Sequence, residues 1–224
     1  MQNLCIVQAR MSSTRFPGKV LAPFAGSSVI DTLLSRLDKS SAINKVVVAT
    51  SIDPTDDLLT MHLKGLPIYR GNLQDVRSRF VFLARKFAPT NIIRITGDCP
   101  LVCPDLIDQM LKLHEAENSD YTANCNFNAY PKGFDIEIIK SEVLLRASFL
   151  TEDSYDKEHV TPWMYSSGTL NVTNLQFLNG EHKSSLNFSV DTKEDLKFLN
   201  DLEQKYNVSQ LSFKEIWDRV QLEL

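Results

Sequence analysis

No run of about 20 apolar residues interrupts this sequence, so nothing in it is long enough to cross a bilayer as a helix. There is no excess of positive charge either. Against 28 Asp and Glu stand 24 Lys and Arg, a formal charge of −4, which gives no overall attraction for nucleic acid or an anionic membrane. Cysteine is sparse: Cys5, Cys99, Cys103 and Cys125 lie in apolar stretches. The Cys99/Cys103 pair has no second Cys/His pair at ligand spacing, so reduced structural thiols are expected in place of a disulfide framework or a zinc site. Met1-Gln2-Asn3 runs straight into an apolar strand without a basic segment, so the expectation is a chain without a secretory leader, working in the cytoplasm. Neither G-x-x-x-x-G-K-[ST] nor G-x-G-x-x-G occurs, which removes the Walker loop and the dinucleotide fingerprint.

What is present is an ordinary globular composition, 43% apolar and 23% charged, in 224 residues, enough for one α/β domain with a substantial core. Leu4–Val7, Lys45–Ala49 and Asn91–Ile95 read as buried strands, with Pro67–Tyr69 a shorter one. Ser28–Leu37 and Asp75–Phe87 place their apolar residues on one helical face. Asp53 or Asp56 can cap a helix through about Leu63, and Asp105–Glu117 follows Pro104, a residue suited to a first helical turn. Strands spaced by helices imply a mostly parallel sheet with helices on both faces, and ligands then sit outside the carboxyl ends of the strands. From about residue 121 to 177 the pattern turns polar and aromatic, with strands expected at Phe134–Ile139 and Leu170–Phe177, and reads as a small β-rich flap. A strand at Leu186–Val190 and helices at about Lys193–Tyr206 and Ser212–Leu222 close the chain.

The loop after the first strand runs from Gln8 to Lys19 and carries Arg10, Arg15 and Lys19, three hydroxyls and a Pro-Gly turn. Three cations and free backbone N–H groups at a strand end suit a triphosphate; the competing reading is a solvated basic loop. Arg94–Leu101 sets Thr96, Gly97 and Asp98 at the mouth of the sheet, where one carboxylate can hold Mg²⁺ or simply cap a turn. Phe188–Leu196 ends a strand in Asp191, a second metal-ligand candidate, while Thr192 with Glu194 and Asp195 has the pattern of a helix start. Asp135 and Glu137 fall at strand period on one face, and His159 follows Glu158. They either line an acceptor pocket or belong to a solvated face and the structural background.

These segments resemble a known family. Gln8–Leu21 (QARMSSTRFPGKVL) is similar to the amino-terminal signature of the CMP-sugar synthetases, Gly97–Leu101 (GDCPL) to their G-D-x-P-L turn, and Asp191–Leu196 (DTKEDL) to their late D-T-x-E-D-L. Arg94–Leu101 (RITGDCPL), Gly133–Glu137 (GFDIE) and Glu158–Pro162 (EHVTP) resemble the spore-coat-polysaccharide-type cytidylyltransferase branch. Thr96 stands where the branch that activates eight-carbon ulosonic acid typically has Gln. The resemblance implies a Rossmann-like nucleotide-diphospho-sugar transferase fold, usually homodimeric, that uses Mg²⁺ to move CMP from CTP onto an acidic sugar for surface polysaccharide or glycan synthesis. It implies catalytic roles for Arg10, Arg15, Lys19 and Asp98, and nucleotide contacts from Gln8, Ala9, Arg10, Lys19, Arg79, Thr96 and Gly97. Asp98 and Asp191 are then the metal ligands, and Asp135, Glu137 and His159 the acceptor contacts. No motif identifies the group that would hold the sugar's carboxylate. Two alternatives stay open: transfer to a sugar phosphate or polyol phosphate, and a non-catalytic nucleotide-binding homologue.

Overall fold

Four consecutive apolar residues, Leu4 to Val7, are buried on both sides only if a strand lies inside a sheet covered on both faces, and β1 (Asn3–Gln8) takes that central place. The computed structural model describes residues 2–126, 130–177 and 186–221. After β1 come a short hairpin, β2 (Pro23–Phe24) and β3 (Ser27–Ser28), and helix α1 (Val29–Leu37). The Ser28 hydroxyl accepts the Asp31 backbone N–H at 3.2 Å, which sets where α1 begins. There follow β4 (Lys45–Ser51), a 3₁₀ turn at Pro54–Asp56, α2 (Asp57–His62) and β5 (Ile68–Gly71). Next are α3 (Val76–Phe87), capped by Asp75, then β6 (Asn91–Thr96) and α4 (Pro104–Ala116), whose proline occupies the first turn.

The second half holds β7 (Tyr121–Ala123), β8 (Glu137–Lys140), α5 (Ser141–Leu150), α6 (Ser154–His159), α7 (Pro162–Ser166) and β9 (Val172–Asn174). It closes with α8 (Lys193–Tyr206) and α9 (Phe213–Gln221). Strand order in the seven-stranded sheet is β5-β4-β1-β6-β8-β7-β9. The first four are parallel, β8 runs antiparallel to both β6 and β7, and β9 is parallel to β7. One apolar cluster packs α1, α4, α8 and α9 on one face, and a second packs α3, α5 and α7 on the other. Among the described residues no helix is long and apolar enough to cross a membrane.

The segment expected as a β-rich flap supplies three strands, but they extend the main sheet, and α5, α6 and α7 interrupt it. Phe127 and Asn128, at the end of its polar-aromatic stretch, lie outside the described residues, as does Leu222 of the last helix. The strand expected from Phe134 begins only at Glu137. The buried Asn124 side chain takes the Ile136 N–H at 2.7 Å and donates to the Phe134 carbonyl at 2.8 Å, replacing ladder bonds there. The strand expected over Leu170–Phe177 narrows to β9.

Leu186–Val190 does not form the expected strand. Phe188 N–H donates to the Lys132 carbonyl at 2.7 Å and Val190 N–H to the Asp98 carbonyl at 2.8 Å, so this segment is stitched between two loops and pairs along neither. That wedge brings the later half of the chain to the carboxyl edge of β1 and β6.

Candidate active site

The loop after β1 folds back on itself: Ser13 and Gly18 both donate backbone N–H groups to the Met11 carbonyl at 2.9 Å. The Met11 N–H in turn reaches Asp56 at 2.6 Å, a fully buried carboxylate that Ser51 also engages. Asp56 therefore anchors the loop to the end of β4. Lys19 emerges at the far end of this loop and buries most of its side chain. Its ammonium lies 2.5 Å from Asp98 Oδ2 and 3.0 Å from Asp191 Oδ1.

Gly97 permits the approach of Asp98. Its N–H donates to the Gln8 carbonyl at 2.8 Å, and a Cβ there would sit 2.8 Å from the Ala9 Cβ, inside van der Waals contact. Asp191 is placed by the start of α8. Asp195 Oδ2 accepts the N–H groups of Asp191 (3.0 Å) and Thr192 (2.7 Å), and Thr192 Oγ1 accepts the Asp195 N–H, a reciprocal cap. Asp195 thus serves the fold, and Asp191 faces the site.

Asp191 carries three cations: Arg15 at 2.9 Å and Lys19 on Oδ1, and Lys132 on Oδ2. Burial alone would raise its pKa, but hydrogen bonds from Lys132 and Lys19 and their charge bring it down to about 2. Burial likewise works against the Lys19 ammonium, and the charges of Asp98 and Asp191 outweigh it, so the pKa rises above the usual lysine value. The molecule is acidic as a whole, yet this edge of the sheet gathers a local excess of positive charge.

A cavity of about 330 Å³ opens over this cluster. Eleven of the thirteen residues singled out in the sequence line it: Gln8, Ala9, Arg10, Arg15, Lys19, Arg79, Thr96, Gly97, Asp98, His159 and Asp191; Ser13, Thr14 and Val20 join them. Arg79 is only 1% exposed. It donates to the Ala49 carbonyl at 3.1 Å, leaves Nε unpartnered, and burial lowers its pKa to about 10. A buried guanidinium with an unused donor beside a cavity has capacity for a ligand acceptor. His159 arrives by a strained turn. Val160 has φ 73° and ψ −49°, and Thr161 N–H donates to the His159 carbonyl at 2.9 Å, a γ-turn of the rarer hand. The Val160 side chain is held in the core while His159 stays exposed beside the cavity, a combination typical of functional sites.

Asp135 and Glu137 do not share one open face. Glu137 is buried at the start of β8, paired with Arg94 on one oxygen and accepting from Tyr121 Oη at 2.6 Å on the other, and Arg94 also reaches Gln8 Oε1. Both carboxylate oxygens are engaged, so Glu137 braces Gln8 across the sheet and does not reach toward a sugar. Asp135 lies before the strand, half-buried, with Oδ2 accepting the Gly133 N–H at 3.0 Å; burial pushes its pKa up. Two residues that the motif reading passed over matter here, Asp56 and Lys132. Asp56 looked like a helix cap, and Lys132 sat in a Pro-Lys-Gly turn whose three-dimensional neighbour, Asp191, lies far along the chain.

The cytidylyltransferase family model matches residues 4–214. The spore coat polysaccharide biosynthesis protein SpsF of Bacillus subtilis (strain 168) is 37% identical over 213 residues, covering 90% of this chain and 86% of that protein. Among solved structures, a cytidylyltransferase from Leptospira borgpetersenii superposes with a TM-score of 0.92 at 27% identity, over 100% of this chain and 95% of that one. A CMP:2-keto-3-deoxy-manno-octonic acid synthetase complexed with CTP shares the fold, with a TM-score of 0.68 at 17% identity over 92% and 99% of the two chains. The Lys19-centred carboxylate pair thus lies at the carboxyl edge of a mostly parallel sheet in a chain that belongs to the cytidylyltransferase family.

Proposed function

We propose that this cytidylyltransferase moves CMP from CTP to a hydroxyl of an acidic sugar and releases pyrophosphate, with Mg²⁺ as its cofactor. The observation that carries this reading is the meeting of Lys19 with Asp98 and Asp191 beneath the Arg10–Arg15 loop: cations for a triphosphate beside two carboxylates for a divalent ion. Its relatives, a spore coat polysaccharide biosynthesis protein and, by fold, a CMP:2-keto-3-deoxy-manno-octonic acid synthetase complexed with CTP, support cytidine as the donor base and a sugar as acceptor.

The carboxylates suit Mg²⁺, a hard cation that takes one or two carboxylates and completes its shell with phosphate oxygens and water. Among the described residues no group of three His, Cys, Asp or Glu side chains could hold a metal ion, so the ion would rest on this carboxylate pair. Asp98 and Asp191 would hold the ion, and bound there it would draw charge from the phosphate oxygens.

The chain's own groups do the rest. Arg10 and Arg15, both largely exposed, can close on the triphosphate from the β1 loop. Lys19, charged and rooted beside the two carboxylates, stabilises the charge that grows on the departing phosphates once the ion takes its place between them. The sugar hydroxyl forms the new bond to the α-phosphorus, the bond from that phosphorus to the bridging oxygen breaks, and pyrophosphate leaves with the electron pair; the hydroxyl proton passes to water. His159, which lines the cavity, would meet the acceptor.

Incubation with each nucleoside triphosphate, Mg²⁺ and a panel of free sugar acids and sugar phosphates tests the proposal by pyrophosphate release. The expected result is release with CTP and a sugar acid. Release only with phosphorylated acceptors would move the acceptor class, and silence with every combination would refute the reading.

A further inference from the structure

The sheet order divides the site into two halves. The loops after β1 and β4, with Arg79 beneath them, lie to one side of Asp98, and the loop that leads into β8 lies to the other, because β8 borders β6. Arg10, Arg15, Lys19 and Arg79 belong to the first half. Lys132 comes from the second.

Its backbone is fixed to the wedge that carries Asp191. The Lys132 carbonyl accepts the Phe188 N–H at 2.7 Å, Lys132 and Asn187 form a β-bridge, and a Cβ on the following Gly133 (φ +100°) would sit 2.2 Å from the Phe188 carbonyl carbon. The two backbones therefore touch, and Lys132 cannot drift away from Asp191. Its side chain is nonetheless 57% exposed, whereas that of Asp191 is 8% exposed. Asp191 already has Arg15 and Lys19 on its other oxygen, so three cations stand against two carboxylates and one positive charge is in excess. The facing group on its own loop is Asp135, whose Oδ2 is taken by the Gly133 N–H at 3.0 Å. A cation fixed at its root, exposed at its tip and placed across Asp98 from the triphosphate cations has the geometry of an anion anchor for the second substrate.

We propose that Lys132 is the specificity-determining contact that holds the carboxylate of the acceptor sugar. This rests on the cytidylyltransferase reading above and supplies the basic group that no sequence motif identified.

The test measures binding of 3-deoxy-manno-octulosonic acid and N-acetylneuraminic acid, and of their carboxamides, by calorimetry and ligand-observed NMR. The protein is saturated with Mg²⁺ and a CTP analogue that cannot be cleaved between the α- and β-phosphates. The wild-type protein should bind at least one acid and not its amide. Lys132→Gln should lose about tenfold or more of that affinity while keeping affinity for the CTP analogue within about twofold, and Lys132→Arg should recover most of the loss. Unchanged acid binding in Lys132→Gln overturns the proposal, as does equal weakening of the nucleotide, which would make Lys132 a triphosphate contact. Binding of neither acid by the wild-type protein overturns it too, while leaving CTP-dependent transfer to other acceptors intact. Failure of the CTP analogue to bind would instead sink the cytidylyltransferase reading, and the Lys132 role with it.

Discussion

Replacing Lys19 by Met keeps the length of the side chain and removes its charge, and the consequence for metal binding can be worked from the structure. The ammonium lies 2.5 Å from one carboxylate oxygen and 3.0 Å from another, the same place a divalent ion would occupy if Asp98 and Asp191 are its ligands. Two unit charges about 3 Å apart attract by roughly 5 kcal/mol at an effective dielectric constant of about 20, and by about 1.4 kcal/mol in bulk water. Asp98 keeps 23% of its side chain exposed, so the lower part of that range applies. An entering ion must displace the ammonium at a cost of about 1.4–2.7 kcal/mol, which corresponds to a factor of about 10 to 100 in affinity. Lys19→Met should therefore bind Mn²⁺, measured without nucleotide by the electron-spin signal of the free hydrated ion, about 10 to 100 times more tightly than the wild-type protein. Lys19→Arg should not, and Lys19→Met should lose CTP-dependent turnover even as it gains metal. Equal Mn²⁺ affinities for the wild-type protein and Lys19→Met would refute the argument, because ammonium and ion would then not compete for one place.

Asp98→Asn and Asp191→Asn should each lower turnover by more than about 10²-fold at saturating Mg²⁺, the scale of losing one preorganised electrostatic element, with melting temperatures showing whether the fold survives. Gly97→Ala pushes a methyl group to within 2.8 Å of Ala9 and should cost about 1–3 kcal/mol of stability by chemical denaturation, with weaker CTP binding because the two loops separate. His114 is buried, bonded through Nδ1 to Thr122 Oγ1 at 2.9 Å, and burial lowers its pKa to about 4. The fold favours the neutral ring, so stability should fall as pH drops from about 6.5 to 4, by up to about 3 kcal/mol, and His114→Phe should flatten that slope in urea titrations. Asp191 behaves in the opposite pH range. Its lowered pKa stabilises the fold above about pH 4, and that contribution of about 2 kcal/mol is lost as pH falls toward 2, so Lys132→Gln should raise the acid-unfolding midpoint.

Much of this molecule is legible without coordinates. The continuous apolar run of β1 and the VVVA and IIRI stretches could be satisfied only by strands buried on both faces, and Ser28, Asp75, Pro104 and Thr192 mark helix starts because their side chains or rings suit those positions and no others nearby. Parallel strands with helical crossovers then dictate that the loops after β1 and β6 share one edge, so Arg10, Arg15, Lys19 and Asp98 could be grouped from spacing alone. Tertiary structure decided everything that depended on neighbours far apart in the chain. The alternation around Asp135 and Glu137 was the same whether both faced a ligand or not. Arg94, one strand over, drew Glu137 into a buried pair, and Asn124 took the backbone bonds that would have extended β8 to Asp135. Leu186–Val190 had the composition of a strand, but its hydrogen bonds went to two different loops, and that wedge carries Asp191, 172 residues after Lys19, to the lysine. Local sequence reports periodicity and caps because those depend on residues within a few positions of each other. The electrostatic centre depends on which charges the sheet order makes neighbours, and only the folded chain sets that.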